Sequence, residues 1–384
     1  MRGAAAALLM TGMAAAQLRP AKPETVGISA ARLESAAALL SGEVEQGRVL
    51  AASMIVARRE KVVLHRGFGR LNAAAAVPAT SPDTIFLLAS ITKPVAACAL
   101  MLLAERGRVS LEEPVAHYLP EFRGEDRAKV RVRDLLSHTS GLPDMLPENI
   151  ELRRAHAPLS EFVKHTFTTP LLYPPRMGFQ YQSMGVLLAG EIVERLSGRR
   201  LRDFEKREIF DPLGMKNSAL GMGPWKIEQT AWCQNSPESK EEDLRSFGAN
   251  SPYWRDMGHP WGGMHSTTGD LAILLQTFLN GGTYNGVRVF SPATVAAMTR
   301  DQNEAVKSPW GLGWGLAGSP VWAYFGDLVS PRTFGHCGAT GTVAWADPER
   351  QLLCVILTTR PLSEDNGRML KVVSNAVAAA VEKF

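Results

Sequence analysis

Phe86-Leu87-Leu88-Ala89-Ser90-Ile91-Thr92-Lys93-Pro94-Val95 carries a Ser-x-x-Lys at the head of an apolar, alanine-rich run. The run ends at Arg106-Gly107, and a glycine just past the last apolar turn predicts a helix stop. Pro94 falls within the first turn, where its missing N–H costs least. The spacing therefore places Ser90 at the helix N-terminus and Lys93 about one turn along on the same face. A serine hydroxyl is a weak nucleophile until a base takes its proton. A neutral lysine can act as that base if burial or neighbouring cations pull its pKa down. The helix N-terminus adds free N–H groups for developing negative charge. A lone Ser-x-x-Lys recurs by chance in 384 residues, so its weight comes from the rest of the chain.

A chain of this length buries a large core and commonly forms more than one domain. It is 45% hydrophobic and 21% charged, ordinary values for a globular protein. The net charge of +4 is spread along the chain, and Arg58-Arg59 and Arg199-Arg200 are pairs rather than basic tracts. Nucleic acid and lipid surfaces are not expected partners. Cys98, Cys233, Cys337 and Cys354 show neither metal-ligand spacing nor a disulfide framework. The eight histidines are dispersed, so no metal and no cofactor is expected. No apolar run is long enough for a membrane span. Residues 1–20 read either as a short secretory signal, with Ala14-Ala15-Ala16 as its cleavage site, or as a flexible extension. The location is accordingly cytoplasmic or periplasmic/secreted.

Working outward, Ser29 predicts a capped helix to about Leu40, with Leu33, Ala36, Ala37 and Leu40 on one face. Ala51 to Ala57 and Lys61 to His65 flank a short polar break and predict a hairpin, which Gly67 and Gly69 are expected to end. Helices are predicted at 132–137, 160–167, 187–196, 267–279, 291–299 and 368–381. Residues 222–260 have weak periodicity and read as loops that shape a cleft. Strands are predicted at 313–316, 341–346 and 352–359, with His336-Cys337-Gly338 opening a turn into the second of them. Strands at both ends and helices between imply an α/β chain of α+β type, an antiparallel sheet flanked by helices with an inserted, mainly helical region. The expected division is 21–88 with 290–384 as one discontinuous α/β domain, and 89–289 as the helical domain carrying the cleft loops.

Further motifs give Ser90 its context. Tyr181-Gln182-Ser183 precedes a helix, and His336-Cys337-Gly338 precedes a strand. Leu135-Leu136-Ser137-His138-Thr139-Ser140-Gly141-Leu142 and Trp261-Gly262-Gly263 lie between them. No Gly-x-Ser-x-Gly occurs, which disfavours an α/β-hydrolase mechanism. From about Pro23 onward, these ordered motifs resemble the serine β-lactamase and penicillin-binding-protein superfamily. The nearest branch holds the class C β-lactamases and family VIII carboxylesterases. The resemblance implies the β-lactamase/transpeptidase-like fold.

It also implies roles. Ser90 matches the nucleophile, Lys93 a proton acceptor and electrostatic partner, and Tyr181 a residue that shuttles protons between Ser90, Lys93 and the leaving group; either Lys93 or Tyr181 takes the first proton, or the two act as a coupled unit. The backbone N–H groups of Ser90 and Ala339 match the oxyanion hole. Ser183 stands where β-lactamases of this group usually carry asparagine, and it lacks the amide donors. His336 matches the third-motif basic residue, and an ordinary histidine is mostly neutral at pH 7. Cys337 replaces the more usual threonine. Gly338 is expected to let substrate approach a strand edge. His138 is expected to be structural. Tyr118, Trp254, Trp261, Trp314 and Trp322 are candidate pocket walls. The departures at Ser183 and His336 point to a serine carboxylesterase acting on a small ester through an acyl-enzyme. β-Lactamase, D-Ala-D-Ala peptidase, acyl transfer and a non-catalytic scaffold are the alternatives. The motifs carry no signal of oligomeric state.

Overall fold

Helix caps and sheet edges form where residue type places them. In the computed structural model, which describes residues 17–73, 78–235, 239–321 and 324–383, the Ser29 hydroxyl accepts from the Arg32 N–H at 3.4 Å. The helix it caps runs Ala30–Glu45 and buries Leu33, Ala36, Ala37 and Leu40. The signal-like residues 1–16 and the candidate Trp322 lie outside the described residues.

Among the described residues, seven strands form the main sheet. Their order is Arg19–Pro20, Lys61–Gly69, Ala51–Arg58, Leu352–Thr358, Thr342–Asp347, Phe334–Gly338 and Gly315–Leu316. The first pair is parallel and all the others are antiparallel. Leu352–Thr358 lies directly beside Ala51–Arg58, so the two ends of the chain join at the sheet centre. These two strands are buried on both faces, and their side chains divide by the two-residue period. Cys354 and Ile356 join Met54 and Val56 under the Ala30–Glu45 and Arg368–Ala379 helices. Leu353, Val355 and Leu357 face the other way, into a larger core with the Thr92–Glu105, Met184–Ser197 and Thr268–Leu279 helices.

Three expectations about the elements need correction. The second hairpin strand does not stop at His65 but continues to Gly69. There the glycines serve close approach: a Cβ at Gly67 would meet the Thr80–Ser81 backbone, and one at Gly69 would collide with the Leu50 carbonyl. His336 and Cys337 do not open a turn but sit within the Phe334–Gly338 strand, and the turn follows at 339–341. Among its described residues, the weakly patterned 222–260 stretch also contains the helices Glu241–Phe247 and Pro252–Asp256.

Candidate active site

Ser90 lies in a 3₁₀ turn, Ala89–Ile91, that runs into the Thr92–Glu105 helix. Its neighbours are pinned from several sides. Leu88 N–H donates to Met264 O at 2.9 Å, while the Thr342 hydroxyl donates to Leu88 O at 2.8 Å. The Thr340 hydroxyl donates to Leu87 O at 2.9 Å. Thr92 Oγ1 donates to Ala89 O at 2.7 Å and accepts from Met264 N–H at 3.0 Å. Ala89 itself has φ 49°, a strained conformation for a residue with a Cβ. These ties fix the backbone around Ser90 against the turn that carries Ala339. Both residues line one cleft of about 680 Å³.

Lys93 is 1% exposed. Its Nζ lies 3.1 Å from Ser90 Oγ, 3.0 Å from Trp261 O and 4.7 Å from the Tyr181 ring centre. Burial lowers its pKa to about 8, with the Asp144 carboxylate opposing the shift. The Trp261 carbonyl can aim at Lys93 because the chain turns tightly behind it. A Cβ on Gly263 would press on the His259 backbone at 2.7 Å. Tyr181 is buried, and burial raises its phenol well above 10 although a hydrogen bond with Ser90 pulls the other way. The phenol therefore stays protonated at neutral pH and acts as a donor.

The Leu135–Leu142 signature positions Tyr181 rather than touching Ser90. His138 O accepts from Gln180 N–H at 3.0 Å, and His138 Nδ1 accepts from Gln182 N–H at 3.2 Å. The Gln182 side chain accepts from Ser140 Oγ at 2.6 Å and donates to Asp134 O at 3.1 Å. Both neighbours of Tyr181 are thus latched to one loop. Burial, then the positive charge of Lys93, hold His138 well below its ordinary pKa, so it stays neutral. This agrees with a structural His138.

Ser183 reaches the cleft, and its hydroxyl donates to Asp144 Oδ1 at 2.6 Å. Trp254 and Trp261 also line the cleft. Other expected contacts are corrected. His336 is fully buried rather than facing substrate. Its Nδ1 donates to Cys337 O at 2.7 Å, and burial lowers its pKa to about 3. Cys337 faces the opposite core, under the terminal helices. Trp314 packs among Phe278 and Phe334, away from the cleft. Tyr118 accepts from Ser110 N–H at 2.8 Å on the surface. Gly338 does leave room for a close approach, but to the protein's own Leu88 carbonyl and the Thr342 hydroxyl rather than to substrate.

Gly338→Ala is therefore expected to push the Leu88 backbone and the Ala339 turn apart. Overpacking of this kind costs about 1–3 kcal/mol. With the Ala339 N–H as the oxyanion donor that the family resemblance implies, its displacement is expected to lower turnover by about 10²–10³-fold. Thermal melting and kcat, measured on one preparation, check both; unchanged values would show that the contact is not rigid.

Sequence reasoning missed Asp144, Arg153 and His259, which line the cleft. None belongs to a motif, so only folding reveals them.

Comparisons with known proteins agree with this geometry. The chain is 29% identical over 375 residues to a "Putative D-alanyl-D-alanine carboxypeptidase" of Salmonella gallinarum, covering 89% of this chain and 86% of the relative. A penicillin-binding-protein homologue from Caulobacter crescentus superposes with a TM-score of 0.74 at 25% identity, covering 92% of this chain and 99% of that one. A family VIII carboxylesterase superposes with a TM-score of 0.73 at 21% identity, over 92% and 99% of the two chains. The Beta-lactamase family model matches residues 36–378, a span that includes Ser90, Lys93, Tyr181 and the strand ending at Gly338. By that match, with the pinned serine–lysine pair at the head of its helix, this chain belongs to the Beta-lactamase family.

Proposed function

We propose that this protein is a serine carboxylesterase that hydrolyses short-chain esters through an acyl-enzyme on Ser90. The observation that carries the proposal is the 3.1 Å contact between Ser90 Oγ and a buried Lys93 amine whose pKa is lowered to about 8. A usable fraction of that amine is neutral near pH 7, so it can take the serine proton. Ser90 Oγ then attacks the ester carbonyl, and the oxyanion rests on the Ser90 and Ala339 N–H groups. The Tyr181 phenol gives its proton to the departing alkoxide and regains one from the Lys93 ammonium. Water then attacks the acyl carbonyl as Lys93 takes its proton, the acyl bond to Ser90 Oγ breaks, Lys93 returns the proton to Ser90 Oγ, and the acid is released.

The choice of ester over β-lactam rests on the third motif. His336 is buried and neutral, so its strand offers no cation to a β-lactam carboxylate. The carboxypeptidase-named relatives favour a second reading, cleavage of a D-alanyl peptide through the same Ser90. Acyl transfer to an alcohol or amine would share the first half-reaction.

Paired kinetics on p-nitrophenyl butyrate and nitrocefin, with wild type and Ser90→Ala, test the proposal. Ester turnover well above nitrocefin turnover, both lost in Ser90→Ala, is the expected result. Fast nitrocefin turnover with slow ester cleavage would replace it with a β-lactamase. Failure of a fluorophosphonate to label Ser90 would mean a non-catalytic scaffold.

A further inference from the structure

The cleft lining combines two chemically distinct groups. Ser90, Lys93 and Tyr181, with Asp144 bonded to Ser183, form one. Arg153, Trp254, Phe247 and His259 form the other, joined by cation–π and ring contacts. His259 is held neutral by burial and then by the charges of Arg153 and Lys93.

Arg153 is an unusual residue to find there. Its guanidinium stacks on Trp254 at 3.8 Å and approaches Phe247 at 5.1 Å. One terminal nitrogen donates to Phe247 O at 2.9 Å, and its buried Nε has no partner among the described residues. Among the described residues, no carboxylate forms a salt bridge with Arg153: Asp243, which lines the same cleft and acts on Arg153 at longer range, sits 3.3 Å from Arg154. Lys240 adds a second positive charge to the same lining. Stacking on aromatic faces holds the planar guanidinium in place while leaving donors for a planar anion. A partly buried cation with no counter-ion in direct contact is costly, and an anionic ligand offsets that cost.

We propose that Arg153 is a specificity residue that binds a carboxylate at the far end of the acyl group, so that the preferred substrates are monoesters of dicarboxylic acids. This rests on the serine-esterase reading. The acyl side is proposed because a carboxylate held through both half-reactions keeps the acyl-enzyme in register until water arrives, whereas the alcohol departs after the first.

The test compares p-nitrophenyl hydrogen adipate, pimelate and suberate with their methyl-capped, neutral counterparts of equal length. In wild type, at least one free acid should exceed its capped partner in kcat/KM by about tenfold, the scale of one charge-assisted hydrogen bond. The ratio should fall towards one in Arg153→Gln and recover in part in Arg153→Lys. In wild type it should also shrink between 0.05 and 0.5 M NaCl, which needs no variant to fold. Capped esters cleaved through Ser90 as fast as every free acid, with a ratio indifferent to Arg153 and to salt, would overturn the anion site and leave the esterase reading standing. Absence of Ser90 acylation by any of these esters would overturn both.

Discussion

On the proposed mechanism, Lys93→Met is expected to lower ester turnover by about 10²–10⁴-fold, the usual contribution of a positioned general base. The same variant is expected to be more stable than wild type at neutral pH. The buried amine has its pKa lowered from 10.5 to about 8, which costs the folded state about 3 kcal/mol wherever the amine must be charged. Losing the 3.0 Å bond leaves the Trp261 carbonyl unpartnered, and that subtracts about 1–3 kcal/mol. A net gain on the order of 1 kcal/mol remains.

The sign with pH follows from linkage. Between about pH 8 and 10.5 the unfolded chain still holds the lysine proton and the folded chain does not. Wild-type stability therefore rises with pH across that window, and the cost is fully present below it. The advantage of Lys93→Met should be largest at pH 7 and shrink towards pH 10. Wild-type kcat/KM should climb through about pH 8 as the amine becomes neutral. A melting difference that stays flat from pH 7 to 10, with a flat pH–rate profile, would show that the amine is not depressed.

Glu205→Leu is expected to stabilise the protein by about 1–3 kcal/mol at pH 8, with less effect near pH 4. Glu205 ends the Leu201–Glu205 helix, just before a π-helical turn at Lys206–Phe210. It is fully buried, and neither carboxyl oxygen has a partner among the described residues. Desolvation raises its pKa well above 4.5. The folded state thus keeps a proton that the unfolded chain releases above about pH 4.3. Stability falls as pH rises from there towards the raised value. Leucine has similar volume and needs neither proton nor partner. Glu205→Gln separates the two effects: it should remove the pH dependence but leave the amide unpartnered, so its gain is smaller. Melting curves from pH 4 to 9 on all three proteins decide this. A loss of stability in Glu205→Leu at pH 8 would mean that the carboxyl has a partner, such as a bound water.

The local sequence determined most of the helices. Ser29, Gly107, Gly198 and Thr267 mark helix ends by side-chain or backbone chemistry that acts within a few residues. Ser90 and Lys93 were legible for the same reason, since three residues on one helix face must be near each other. Tyr181 was legible as part of an ordered family motif. The orientation of the third motif was not. His336 and Cys337 alternate to opposite faces of a strand buried on both, and composition does not say which face meets the cleft. Gly338 was read as room for substrate, whereas the Leu88 carbonyl, about 250 residues away in the chain, fills that room. Trp254 and Trp314 look alike in sequence, yet one lines the cleft and the other packs on Phe278. Asp144, Arg153 and His259 had no motif to announce them. Their burial, pairing and charge arise from contacts between segments far apart in the chain, and only the tertiary structure creates those contacts.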